Sequence, residues 1–381
     1  MLKNIFFFLS AFLISFANVF FFLLLYTVLR LGKNHRDFRM LLLKKIVTYL
    51  HRFYQYFGFF FRLTLCFLIL SWLFYDDLID FQTLHLLVEE KSIFFSNFIL
   101  WLGGALFLNA MRWHLLLLPL QLEISKIQTI LYSCVGLFFN SVIPGSVSGD
   151  LVKVSYIIKS FPEHKKTPIF FSILMDRIIG FYALFSISFL VTLFNFNFIP
   201  AAVRPVFYFS TFFFILMTIF FFIIIYGEGF DPIKFFLQFH FPGSSFFKKV
   251  YHAALIYRDH SRNLFFAVLL GVIFQCLLLL YTLFVTSFIV GRSFDWLSIC
   301  VVYPFGLLLQ SVPLAPGGLG TGHAAFTTLF SMAGVEGGAN IFNIIFVGQM
   351  FLNLFGLIPF IFLRSKKSRL KSSEDFSRKS I

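Results

Sequence analysis

The sequence predicts an all-α polytopic membrane protein with about seven full spans and two re-entrant helical hairpins, arranged as an inverted repeat. Three observations carry that expectation. Of 381 residues, 59% are hydrophobic and only 13% charged, and the mean hydropathy of +0.88 is far from that of a soluble domain. Apolar runs long enough to cross a bilayer recur along the chain. Basic residues collect in alternate loops between them. At about 20 apolar residues per helix, this composition fills roughly seven to nine membrane segments and leaves no room for a soluble catalytic domain.

Uninterrupted apolar stretches at 5–29, 56–75, 93–111, 168–194, 206–226, 263–290 and 341–363 are bounded by charged or Pro/Gly-rich turns and read as full spans. Two further apolar segments, 129–158 and 297–333, are broken, the first by Pro144 to Asp150 and the second by Pro313 to Gly322. Residues 1–55 comprise an extra N-terminal span and a strongly basic segment. The apolar run continues to Leu29, which favours an uncleaved anchor. A signal peptide cleaved near Ser15-Phe16-Ala17 and a true start at Met40 are the competing readings. Residues 364–381 form a basic tail.

The formal net charge of +14 would suggest nucleic acid in a soluble protein, but here the cations sit between apolar runs, so topology and anionic lipid explain them. No nucleic-acid partner is expected. One set of loops holds nearly all Lys and Arg, including Arg30 to Arg52, Arg112 and Lys126, Lys153 to Lys166, Lys234 to Arg262, and the tail. The opposite set holds only Lys3, Lys91, Arg204 and Arg292, together with acidic Asp76, Asp77, Asp80, Glu89 and Glu90. The basic side is cytoplasmic, so a multi-pass protein of the inner (plasma) membrane with a cytoplasmic C-terminus is expected.

Segment 129–158 has basic loops on both flanks, so both of its ends belong on one side. Its arms, 129–143 and 150–160, would be about 22 and 16 Å long, short of the ~30 Å hydrocarbon core. A hairpin whose tip falls near the midplane satisfies both conditions. Segment 297–333 has charge-poor flanks and by the same reasoning enters from the outside. Residues 56–194 then read span, span, inside hairpin, span, and residues 206–363 read span, span, outside hairpin, span. Paired breaks in two inverted halves point to a substrate site between the halves.

The turn through Gly145 and Gly149 to Asp150, followed by Lys153, reads as a helix start with Ser148 or Asp150 as cap. Such a terminus inside the bilayer suits a phosphate. Gly317, Gly318 and Thr321 provide the matching start in the second hairpin. Breaks needed only for packing are the plain alternative. Asp176 and Arg177 lie within a span, where charge is costly, and adjacent helical residues need separate partners. Asp150–Arg177 and Lys153–Asp176 are the expected cross-pairs, and Arg177 serves either as a structural ion pair or as a phosphate ligand. Arg112-Trp113 ends a span at the inner interface, where both residue types anchor helices; Arg112 is also a candidate phosphate ligand. Arg62 snorkels. His323 is either a proton carrier or a hydrogen-bonded spectator. Cys66, Cys134, Cys276 and Cys300 lie in apolar runs and read as buried hydrophobes. No catalytic group, metal cluster or nucleotide loop stands out, and no cofactor is expected.

Arg112-Trp113, Gly136-Leu137-Phe138-Phe139-Asn140 leading to Pro144 through Asp150, Asp176-Arg177 with Gly180, and Pro316-Gly317-Gly318-Leu319-Gly320-Thr321 occur in that order. Together they resemble the flippase-like transmembrane domain of lysylphosphatidylglycerol synthases and their stand-alone relatives, over about 57–363. The resemblance departs at Ser148-Gly149-Asp150 and Lys153, where the family has Gly-Gly-Asp followed by Arg, and at His323, where it has Glu. Lys for Arg keeps the charge and loses bidentate phosphate recognition. The chain ends at Ile381, soon after the last span, so the aminoacyl transfer of the bifunctional members is not expected. The expected role is binding an anionic phospholipid, or a polyprenyl-phosphate-linked lipid, and moving it between leaflets. The rivals are a membrane-embedded transferase acting on a lipid phosphate, against which the short loop 227–262 argues, and a non-catalytic partner of a separate lipid-modifying enzyme.

Overall fold

The computed structural model describes residues 81–143, 148–158, 161, 163–226, 244–291, 293–312 and 318–363, all within the unit Cys66–Ile381, and every regular element among them is helical. A short α1 (Phe81–Glu89) leads into α2 (Lys91–Leu120). Next come α3 (Lys126–Val142), α4 (Ser148–Ile158), α5 (Glu163–Asn195) and α6 (Arg204–Tyr226). They are followed by α7 (Ser244–Leu255), α8 (Ser261–Ile289), α9 (Trp296–Gln310), α10 (Thr321–Met332) and α11 (Gly338–Leu363). Among the described residues, five helices are long and apolar enough to cross a membrane: α2, the stretch Lys165–Phe198 formed by α5 and the 3-10 turn after it, α6, α8 and α11. They coincide with five of the expected spans. The expected spans 5–29 and 56–75, Arg62, Gly145, Gly317 and the basic tail lie outside the described residues.

The outer surface of these helices is apolar, as lipid requires and water does not. On α6, Phe209, Phe212, Ile215, Ile219 and Phe222 are all about half exposed or more. The interior core joins Leu278 and Tyr281 of α8, Val301 and Tyr303 of α9, Phe326 and Phe330 of α10, and Phe342 and Ile345 of α11.

Each broken segment forms an antiparallel helix pair. Ser125 starts α3 with a reciprocal cap, its hydroxyl accepting from Gln128 N at 3.2 Å while Gln128 Oε1 accepts from Ser125 N at 2.9 Å. Helix α4 returns along α3: Tyr132 stacks on Tyr156 at 5.3 Å, and Gly149 N donates to Asn140 Oδ1 at 2.8 Å. Gly149 lies so close that an added Cβ would strike the Gly136 carbonyl. In the second pair, Tyr303 meets Phe326 edge-on at 6.4 Å, and a Cβ on Gly318 would strike the Gln310 carbonyl.

Two wide π-helical segments, Leu100–Leu108 in α2 and Asn343–Val347 in α11, were not foreseen. Both sit where helices approach closely: Gly104 packs on the Phe274 ring, and Gly348 lies against Asn97. Neither the amphipathic α7 nor α1 was read from the loops that contain them. Polar ties bind both α2 and α3 to α11, with Trp101 Nε1 donating to Asn353 Oδ1 at 2.8 Å and Asn353 Nδ2 to Ser141 Oγ at 2.9 Å. Lys165 Nζ lies 3.2 Å from the carbonyls of both Leu120 and Gln121, completing the C-terminal end of α2.

Candidate functional site

A cavity of about 330 Å³ is walled by α2, α3, α4, α5, α8 and the end of α9. Its charged wall brings together five residues from three stretches of chain. Arg112 Nε donates to Asp176 Oδ1 at 2.7 Å. Lys153 Nζ lies 2.9 Å from Asp150 Oδ1 and 3.9 Å from Asp176 Oδ2. Arg177 reaches Asp150 Oδ2 through Nε at 2.6 Å and Nη2 at 2.5 Å.

The backbone explains how these groups meet. Asp150 and Lys153 stand one turn apart on α4, so both project to the same side. Asp176 and Arg177 are adjacent on α5 and diverge, which is why each finds a different partner. Both expected cross-pairs are present, Lys153–Asp176 as the longer contact. Arg112 is the principal partner of Asp176, which the sequence reading did not anticipate. It is buried, at 7% exposure, and Trp113 beside it is fully buried. Arg112 lies against Gly180 and Gly271: a Cβ at Gly180 would make ordinary contact with Arg112 Nη1 at 3.7 Å, and one at Gly271 with Arg112 Cδ at 3.6 Å. Trp113 donates from Nε1 to Ser172 Oγ at 3.1 Å and offers its ring to Lys153 Nζ, 4.7 Å from the centroid. Tyr257, between α7 and α8, donates to the Leu116 carbonyl at 3.0 Å. Burial first, and the Asp176 charge second, push its phenol pKa up, so it remains a donor.

Three cations face two carboxylates here, leaving one formal positive charge. Asp150, Lys153, Asp176 and Arg112 are nearly closed off, whereas the Arg177 side chain is 32% exposed. Arg177 is thus the most open cation of the cluster.

The other candidates fall elsewhere. Gly149 is committed to close packing of α3 on α4, and its N–H is taken by Asn140. Ser148 Oγ donates toward the carbonyls of Phe139 and Ile143 at 3.2 and 3.3 Å. Helix α10 begins after Gly320 at φ 84°, and Thr321 Oγ1 donates back to the Gly318 carbonyl at 3.1 Å. His323 is fully buried away from the cavity: Nδ1 accepts from Gly320 N at 3.3 Å, and Nε2 lies 2.6 Å from Asn343 Oδ1. Among the described residues, no three His, Cys, Asp or Glu side chains gather as a metal site. The cavity also has a polar lining from Asn109, Ser133, Asn140 and Gln275, which the sequence reading passed over. The available signal was a lone amide or hydroxyl inside an apolar run.

No curated protein and no solved structure matches the chain. Residues 59–359 match the family model described as Lysylphosphatidylglycerol synthase TM region. That match spans the helices of the cavity, and five of the described helices are apolar enough to cross a membrane. The chain is a multi-pass membrane protein and belongs to the lysylphosphatidylglycerol synthase transmembrane-region family.

Proposed function

We propose that the protein binds the phosphate of an anionic phospholipid, or of a polyprenyl-phosphate-linked lipid, at the Arg112–Asp176–Lys153–Asp150–Arg177 cluster and carries the head group between leaflets of the plasma membrane. The observation that carries this reading is the cluster itself, a paired group of charges with one positive charge in excess, on the wall of a cavity among apolar helices. Mutual pairing lets these charges persist within the membrane without a ligand. The excess charge and the more open Arg177 give an anion its place.

In this reading the pairs α3/α4 and α9/α10 are re-entrant hairpins of an inverted repeat, seven spans and two hairpins in all, with a cytoplasmic C-terminus. Helix α3 is about 25 Å and α4 about 16 Å long, both short of the ~30 Å hydrocarbon core. The contact of Lys165 with Leu120 and Gln121 supports placing both flanks of the first hairpin on one side. The cavity is lined from both halves, by Asn140 and Asp150 of the first pair and by Gln310 and Ser311 of the second, as a carrier working between two halves needs.

The test is lipid binding by purified protein in nanodiscs of phosphatidylcholine doped with phosphatidic acid. Wild-type protein should bind phosphatidic acid. Arg177→Ala should weaken it about 10- to 100-fold, the worth of a charge-assisted hydrogen bond, while the variant stays monodisperse. Unchanged binding by a folded Arg177→Ala protein would leave the cluster a purely structural one.

A further inference from the structure

Three polar oxygens in the cavity residues Asn109, Ser133 and Gln275 are buried without a hydrogen-bond partner among the described residues: Asn109 Oδ1, Ser133 Oγ and Gln275 Oε1. They come from three different helices, α2, α3 and α8. Ser133 and Gln275 are more than nine-tenths buried, at 7% and 8% exposure. The Asn109 amide has a defined orientation, because its Nδ2 donates to the Ala105 carbonyl at 3.3 Å and so leaves Oδ1 as the unpaired acceptor. Buried polar atoms are nearly always paired in proteins, so three around one cavity need an explanation.

Each of the three flanks the charged cluster. Asn109 is one turn from Arg112 on α2. Gln275 is one turn from Gly271, against which Arg112 packs. Ser133 is one turn from Gly136, where an added Cβ would sit 3.6 Å from Lys153 Cδ.

Their chemistry is selective. Two amide oxygens only accept, and the serine hydroxyl both donates and accepts. A phosphate monoester alone brings no neutral donor to them, and an ammonium would add a cation beside a cluster already in positive excess. Hydroxyl groups are neutral donors and fit. Glycerol bears two free hydroxyls once esterified to phosphate, one fewer than the unpaired atoms; a sugar or inositol ring bears more. The cavity volume, about 330 Å³, is at the lower end for small-ligand pockets and suits one such ring.

We propose that Asn109, Ser133 and Gln275 form a head-group-reading subsite for a polyhydroxylated lipid phosphodiester, its ring hydroxyls on these three side chains and its phosphate on Arg177 and Lys153. This rests on the reading above that the cluster holds a lipid phosphate.

The test titrates phosphatidylinositol and phosphatidic acid of identical acyl chains into the full chain in phosphatidylcholine nanodiscs. The inositol lipid should bind about tenfold more tightly, and Gln275→Leu and Asn109→Leu should each reduce that preference about fivefold. Gln275→Leu removes an unpaired oxygen, so without added anionic lipid its melting temperature should be no lower than that of wild type. Equal affinity for the two lipids, both weakened by Arg177→Ala, would overturn the subsite and leave the phosphate reading standing. Binding of neither lipid would overturn both. A folded Gln275→Leu protein with unchanged preference would overturn the role of Gln275.

Discussion

Arg112 and Asp176 form the most enclosed pair of the cluster, with side chains 8% and 7% exposed. Removing one partner strands a charge inside the membrane domain. Arg112→Leu should therefore destabilise the protein by about 3–5 kcal/mol, read as a loss of denaturant or thermal resistance in detergent. Arg112→Leu combined with Asp176→Leu should recover most of that loss, since two apolar side chains fill the space without stranded charge. A double variant as weak as the single one would mean that packing around Gly180 and Gly271, rather than charge, is the cause. The charges were legible in the sequence because ionised residues inside apolar runs are conspicuous, and Asp150–Arg177 could be paired by position alone. The role of Arg112 was not legible: its partner Asp176 lies 64 residues away on another helix, and a residue at a span's end looks the same whether buried or snorkelling. Asn109, Ser133 and Gln275 escaped notice because a single amide or hydroxyl in an apolar run is ordinary, and only the structure shows that they line one cavity with oxygens that lack partners among the described residues.

At the scale of elements, the α3/α4 pair depends on two small residues of unequal importance. A Cβ on Gly149 would overlap the Gly136 carbonyl outright, whereas one on Gly136 would sit 3.1 Å from the Gly149 carbonyl. Gly149→Ala should thus cost more stability than Gly136→Ala, at least about 1–3 kcal/mol from overpacking, and should lower the yield of monodisperse protein. Equal effects would show that the arms are not held this closely. Long apolar runs and Pro/Gly breaks announced the five described spans and both helix pairs, because hydrophobic length is the strongest signal a membrane chain carries. The π-helical segments left no such mark. They make contacts with residues far apart in sequence, Gly104 with Phe274 and the Ile344 carbonyl with Asn97 Nδ2. Helix α7 was hidden because its 12 residues are too few to read as a span.

For the whole molecule, the arrangement of charge around the two helix pairs makes topology checkable. With native cysteines removed, single cysteines at Lys126 and Lys165 should be labelled from the cytoplasmic side, and cysteines at Trp296 and Glu336 from the outside. Opposite accessibility of Lys126 and Lys165 would remove the first hairpin and the inverted repeat with it. The central claim is that the paired cluster carries a lipid phosphate across the bilayer, and leaflet redistribution of a fluorescent phosphatidic acid in proteoliposomes measures it most directly. Wild-type protein should redistribute the lipid chemically unchanged, and Arg177→Ala, inserted to the same density and orientation, should slow this by at least about tenfold. Redistribution at the same rate with and without Arg177, or none at all from correctly inserted wild-type protein, would contradict the central claim.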